Sequence, residues 1–183
     1  MMLALGATSS GLAQPDFGTT ATTIAMTEGG TENILLVETD NERFSLSNPR
    51  GYGSQARPET RTIIFTAADG ASVINIRFTT NYPGALPRQE KMRDQVAANH
   101  RAASLVASSP ASTGFGPAQS FDLFQPAGNG LMLRTREVFA SYPEGSVELT
   151  FSCNSADFDK LKREFGRLLN SFRLVPKDGK TNP

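Results

Sequence analysis

This chain has little of what protein chemistry is most often made from. Of its 183 residues, one is cysteine, one is histidine and none is tryptophan. The single cysteine, Cys153, excludes an intramolecular disulfide framework and any multi-cysteine zinc site. The single histidine, His100, leaves no histidine cluster to hold a metal. A histidine-dependent triad would have to use that one residue, and no G-x-S-x-G elbow accompanies it. Charge of one sign is missing as well: eighteen Lys and Arg balance eighteen Asp and Glu. With no basic excess and no Lys/Arg run, nucleic acid is not an expected partner. No apolar run approaches the roughly 18 residues that a spanning helix needs. A phosphate-cradling glycine loop is absent too, and Asp40 and Glu42 in "TDNE" lack calcium-loop spacing.

What is present describes a globular chain. Hydrophobic residues make up 38%, twelve of them Phe, and 20% are charged. That balance and length fit one domain with a sizeable core. The start, "MMLALGATSSGLAQ", reads either as the end of a signal-peptide apolar core or as an unstructured apolar terminus. Small residues at Gly11 and Ala13 favour the first, with cleavage expected between Ala13 and Gln14 and residues 1–13 removed on export. Residues 14–33, rich in Thr and Gly, read as an extension or linker, with at most one short strand around Thr23–Met26. The domain proper is expected over 34–176, with 177–183 as a tail.

Within the domain, "RTIIFTAADGASVINIRFTT" encodes a hairpin. Asp69-Gly70 suits a two-residue type I′ turn, which would set Phe65 opposite Ile74 and Ile63 opposite Ile76. Those four large side chains then share one face, as a half-buried strand pair requires. Ahead of it, "PRGYGSQARPE" reads as a loop. "PRQEKMRDQVAANHRAA" (87–103) reads as a surface helix with a shallow stripe of Met92, Val96 and Ala103.

Two long strand-like runs, "LMLRTREVFASY" and "SVELTFSC", close the sheet across "PEG". A three-residue turn with a bulge, Gly145 in the left-handed position, pairs Phe139 with Leu149 and Ser141 with Val147. Val147, Leu149, Phe151 and Cys153 then form a core face. The last helix, "SADFDKLKREFGRLLNSFRL", gathers Phe158, Leu161, Phe165, Leu168, Leu169 and Phe172 into an arc of about 100°. Ser155 is its expected N-cap. Each buried side chain in that stripe is worth roughly 1.5–3 kcal/mol gross, so the stripe is expected to pack on the chain's own sheet.

The strand "RFSLSNP", the hairpin strand "ASVINIRF" and the final helix "FDKLKREFGRLLNSFRL" together resemble the PsbP-like family, which includes bacterial secreted relatives. The resemblance spans about residues 34 to 176. It implies an α+β fold, an antiparallel sheet with helices packed on both sides (an α/β/α sandwich). It also implies an accessory or binding role. Metal ligation attributed to some members through His and acidic residues has no matching His cluster here, so no site is carried over.

Candidate residues for chemistry are few. Glu137, in the register above, shares a face with Phe139 opposite Phe151, where a carboxylate would have a raised pKa or find an ion partner. His100 lies at the edge of the weak helical stripe, and Cys153 reads as a structural thiol. The three are not expected to converge, and a deep pocket would be lined mainly by apolar side chains and backbone. No catalytic set, metal site or cofactor is expected. The reading is therefore an exported, non-enzymatic protein that binds a protein complex or a small ligand. Two alternatives stay open: a small hydrolase using Glu137 or His100, and a structural envelope component.

Overall fold

A computed structural model describes residues 17–25, 31–39 and 42–176. The expected leader and its cleavage site, Asp40 of "TDNE", and the tail from 177 lie outside these residues. The elements, in chain order, are strands β1 (Gly18–Ala25), β2 (Thr31–Glu38), β3 (Arg43–Ser47), β4 (Tyr52–Arg57), β5 (Thr62–Ala67) and β6 (Ser72–Thr79), then helix α1 (Gln89–Asn99). Strands β7 (Ser104–Thr113), β8 (Gly116–Gly128), β9 (Leu131–Tyr142) and β10 (Gly145–Asn154) follow, then α2 (Phe158–Ser171) and β11 (Arg173–Val175).

These strands form two antiparallel sheets. One has four strands in the order β1-β2-β3-β11, the other seven in the order β4-β5-β6-β10-β9-β8-β7. On one face of the large sheet, Ile63, Phe65, Ile74, Ile76, Val138, Ala140, Val147, Leu149 and Phe151 are buried. Against them lie Phe158, Phe165 and Leu168 of α2, and Leu35, Val37, Phe44 and Leu46 of the small sheet, in one continuous core. The opposite face carries α1, held by a smaller cluster of Met92, Val96, Phe121 and Leu123. Helices thus cover both faces of the large sheet, as the α/β/α expectation requires. The apolar stripe of α2 packs on the chain's own sheets.

Five local expectations are corrected. Residues 14–33 are not simply an extension: β1 pairs along its length with β2, from Gly18 opposite Glu38 to Ala25 opposite Thr31. Phe17 is buried in the core, so packed structure begins well before residue 34. The loop expected after Pro49 contains β4, an edge strand whose mostly exposed side chains leave no alternating pattern to read. Helix α2 is entered from Asp157 with no side-chain cap bond, not from Ser155. The first hairpin has the expected register, Phe65 opposite Ile74 and Ile63 opposite Ile76. Its turn is different: the Gly70 N–H donates to the Ala67 carbonyl at 2.8 Å. Gly70 takes the positive φ, 71°, while Asp69 does not, which is a type I turn followed by a left-handed glycine.

The fifth correction matters most for function. The closing hairpin has a two-residue turn, with Gly145 directly opposite Tyr142. Phe139 therefore faces Glu148, and Val147 faces Ala140. Gly145 does not supply a left-handed turn position; a Cβ there would collide with the Thr79 carbonyl of the neighbouring strand. The pairing has moved by one residue relative to the expected register, and side chains alternate with period two. Glu137 stands opposite Thr150, and so shares no face with Phe151.

Candidate functional site

That shift puts Glu137 and Phe139 on the α1 face of the sheet. Here α1 spans only eleven residues and buries only Met92 and Val96, so it leaves a cleft along its side. The cleft has a volume of about 430 Å³ and is lined by α1, by β6, β9 and β10, and by Asn81 and Tyr82. Its floor includes Met92, Val96 and Phe139, but most of its wall is polar: Arg77, Thr79, Gln95, Asn99, His100, Glu137, Ser146 and Glu148. The expectation of a mainly apolar pocket is corrected. With α1 so short, it cannot cover the polar side chains that β6 and β10 present on this face.

The sequence candidates meet here. His100 caps the C-terminal end of α1, and its Nε2 lies 2.7 Å from Glu137 Oε1. The expectation that they stay apart is overturned, because the true register turns Glu137 towards the helix. Cys153 does stand apart: it alternates with Val147, Leu149 and Phe151 onto the opposite face and is buried. A second ion pair joins Arg77 to Glu148 at 2.5 Å across β6 and β10. Tyr82 adopts a positive φ of 56°, rare for an aromatic residue, and its hydroxyl donates to Gln95 Oε1 at 2.5 Å. Tyr82 thereby tethers the β6–α1 connection to the helix at the cleft mouth.

Burial pushes the Glu137 carboxyl above the ordinary glutamate range, and His100 beside it pulls downward without reversing the shift. The sign of the consequence follows. A carboxyl that binds its proton more tightly in the folded state loses stability as pH rises from its unfolded value through its folded one. Relative to the parent, Glu137→Gln is therefore expected to gain stability as pH rises above the ordinary value of 4.5. Urea denaturation midpoints across that range would show it. A gap that stays constant with pH would mean that Glu137 titrates like a free glutamate.

Cys153 behaves as a structural thiol. Burial pushes its pKa to about 11, with Asp157 adding to the shift. Thiolate is the reactive form, so folded protein should react slowly with thiol reagents and much faster once unfolded. Rapid labelling of the native state would contradict the placement.

A third charged group went unread in the sequence. Asp122 on β8 accepts from Arg134 Nη2 at 2.7 Å and from Arg136 Nε at 2.7 Å. These residues lie on the α2 face, where the Arg134 guanidinium sits 3.9 Å from the Phe158 ring centroid. In "SFDLF" the apolar neighbours of Asp122 hinted at burial, but its partners lie on another strand. Among the described residues, no group of three or more His, Cys, Asp or Glu side chains could hold a metal ion. No helix among them is long and apolar enough to cross a membrane.

No known family and no curated protein matches the sequence. Solved structures do match in three dimensions. The Ran-binding protein Mog1p of Saccharomyces cerevisiae matches with a TM-score of 0.53 at 7% identity, over 87% of this chain and 97% of that one. The cyanobacterial PsbP (CyanoP) of Synechocystis matches with a TM-score of 0.51 at 10% identity, over 92% of this chain and 98% of that one. The chain has the PsbP/Mog1 fold. The architecture implied by the sequence resemblance is therefore the one observed. At such low identity, the PsbP/Mog1 fold fixes where helices and sheets lie and says nothing of individual side chains.

Proposed function

We propose that this chain is an exported accessory protein that acts by binding, and that its ligand or partner enters the cleft between α1 and the large sheet. One observation carries the reading. The cleft is concave and polar, and its ionisable side chains are already paired, His100 with Glu137 and Arg77 with Glu148. Such a site can exchange internal partners for those of a ligand, which is how specificity arises in a binding pocket. The fold is compatible with this use, since a Ran-binding protein of yeast is built on it. Export rests on the small residues before Gln14; a mature chain recovered outside the cytoplasm should begin there by intact mass, and retained Met1 would count against it.

The test of binding compares the parent with Asn99→Trp, which fills the cleft mouth from an exposed helical position. Immobilised parent protein should retain a partner from native extract that cross-links to α1 or β10. The variant should lose it. Retention by both would place the binding surface elsewhere.

A second reading is favoured by the 2.7 Å contact between His100 and Glu137. A carboxylate that orients an imidazole is an arrangement for activating water, and a small hydrolase would use it. Turnover of ester or phosphoester substrates by the parent, abolished in His100→Ala, would establish that reading over binding.

A further inference from the structure

Both ion pairs in the cleft are built the same way, with the acid inside and the base outside. Glu137 has a side chain only 3% exposed, while its partner His100 is 35% exposed. Glu148 is 21% exposed, and its partner Arg77 is 55% exposed. The less exposed member of each pair is a carboxylate, and for Glu137, withdrawn from water, being left unpaired is costly. The more solvated member is a base, His100 or Arg77, on a side chain that can swing into water at little cost. Resting on the reading of the cleft as a ligand site, we propose that it receives a cationic group, an alkylammonium or guanidinium, which replaces His100 on Glu137 and lies near Glu148.

Other ligand classes fit less well. An anion would have to draw Arg77 and His100 off their carboxylates and would then face Glu137 and Glu148 beneath them. A neutral polyol could use the amides of Gln95 and Asn99, yet would leave the buried carboxylate without its countercharge. A cation meets neither difficulty. The cleft, at about 430 Å³, is far larger than a bare metal ion needs. It falls in the range of about 300–1,000 Å³ typical of organic ligands. Met92, Val96 and Phe139 supply an apolar floor for the carbon stem that such cations carry. Phe139 and Tyr82 also offer ring surface of the kind that attracts ammonium and guanidinium groups.

Displacement of the imidazole by a full cation explains why a buried carboxylate is kept where it lowers stability. The ligand takes over the place of the imidazole on Glu137, so the two compete for one carboxylate. Arg77 from β6, Glu148 from β10 and His100 at the end of α1 are the ionisable groups that face Glu137.

The cation has two sources, a free amine or a Lys or Arg side chain of a protein. Agmatine represents the first and Nα-acetyl-lysine methylamide the second, with the norleucine analogue as neutral control and propionate as anionic control. Amide shifts of α1, β9 and β10 in the isotope-labelled full chain are the readout, with calorimetry for affinity. One cationic probe at least should bind saturably at millimolar concentration, and the neutral analogue should not. The tighter of the two cations identifies the source. Glu137→Gln should weaken binding about tenfold or more, as loss of a charge-assisted bond requires. His100→Ala should tighten it severalfold, because the competing imidazole is gone, whereas loss of a residue that contacts the ligand favourably would weaken it. That opposite sign keeps the test decisive even if Glu137→Gln folds poorly.

Binding of propionate in place of the cations overturns the assignment while leaving the cleft a ligand site. Cation binding indifferent to both variants also overturns it. If no probe shifts the cleft amides, yet a partner captured from extract is lost on Asn99→Trp, only the amine assignment fails. If the probes fail and Asn99→Trp changes nothing, the cleft reading fails with it.

Discussion

Phe44→Ala is expected to destabilise the protein by about 3–5 kcal/mol, among the largest losses any single truncation here should produce. Phe44 is fully buried on β3, where the small sheet meets the large one and α2. Its ring lies 5.1 Å from Phe78, 5.2 Å from Tyr142 and 5.4 Å from Phe172, centroid to centroid. Those partners come from β6, from the end of β9 and from the residue after α2, so one side chain joins three parts of the chain. Truncation would leave a cavity whose walls belong to separate elements and cannot collapse together, the circumstance in which large-to-small substitutions cost most. Tilted and edge-on ring contacts add about 0.5–1.5 kcal/mol per pair beyond area alone. Equilibrium urea denaturation would measure the loss. A change below about 1 kcal/mol would mean that the small sheet does not depend on this contact for its docking.

Asp122→Asn is the second large effect. Asp122 is buried and bonds both Arg134 and Arg136, the latter through Nε and Nη2. Breaking a buried ion pair from one side costs about 3–5 kcal/mol; because these arginines are partly solvated, roughly 2–3 is expected here. The effect has a pH signature. Burial pushes Asp122 upward, but the bonds from Arg136 and Arg134 outweigh it, and its pKa falls below the ordinary 3.8. A depressed carboxyl stabilises fully above its unfolded value, and that contribution is lost as pH falls through the folded value. The gap between parent and variant should thus be widest near neutrality and close only in strong acid. A gap that persists unchanged in acid would show that packing, and not charge, accounts for the loss.

The sequence revealed the parts of this fold whose pattern is local. The α2 stripe could be read because its six apolar residues repeat at helical spacing. The first hairpin's register could be read because a turn signal and a hydrophobic alternation agreed, even though the turn type was different. Strand β4 could not be read, since an edge strand with exposed side chains has no alternation. Strand β1 was hidden in a Thr-rich stretch that resembles a linker until β2 is found beside it. The candidate site shows the sharpest limit. Glu137 and His100 were both singled out, yet a one-residue difference in the turn before Gly145 decided which face Glu137 occupies. A loop length reversed the conclusion about convergence. Asp122 was missed for a related reason: its partners are set by cross-strand pairing, which no local spacing encodes.

The order of strands also bears on how the chain reaches this state. Strand β3 is finished on one side by β11, which comes from the last described residues, and β6 is finished by β10. Neither sheet can be assembled from the N-terminal half alone. A nascent chain therefore has little to fold into until almost all of it has been made, and the long-range pairings it must then form are intrinsically slow. Such a chain would remain open to threading through a narrow channel for longer than one whose early segments pack by themselves.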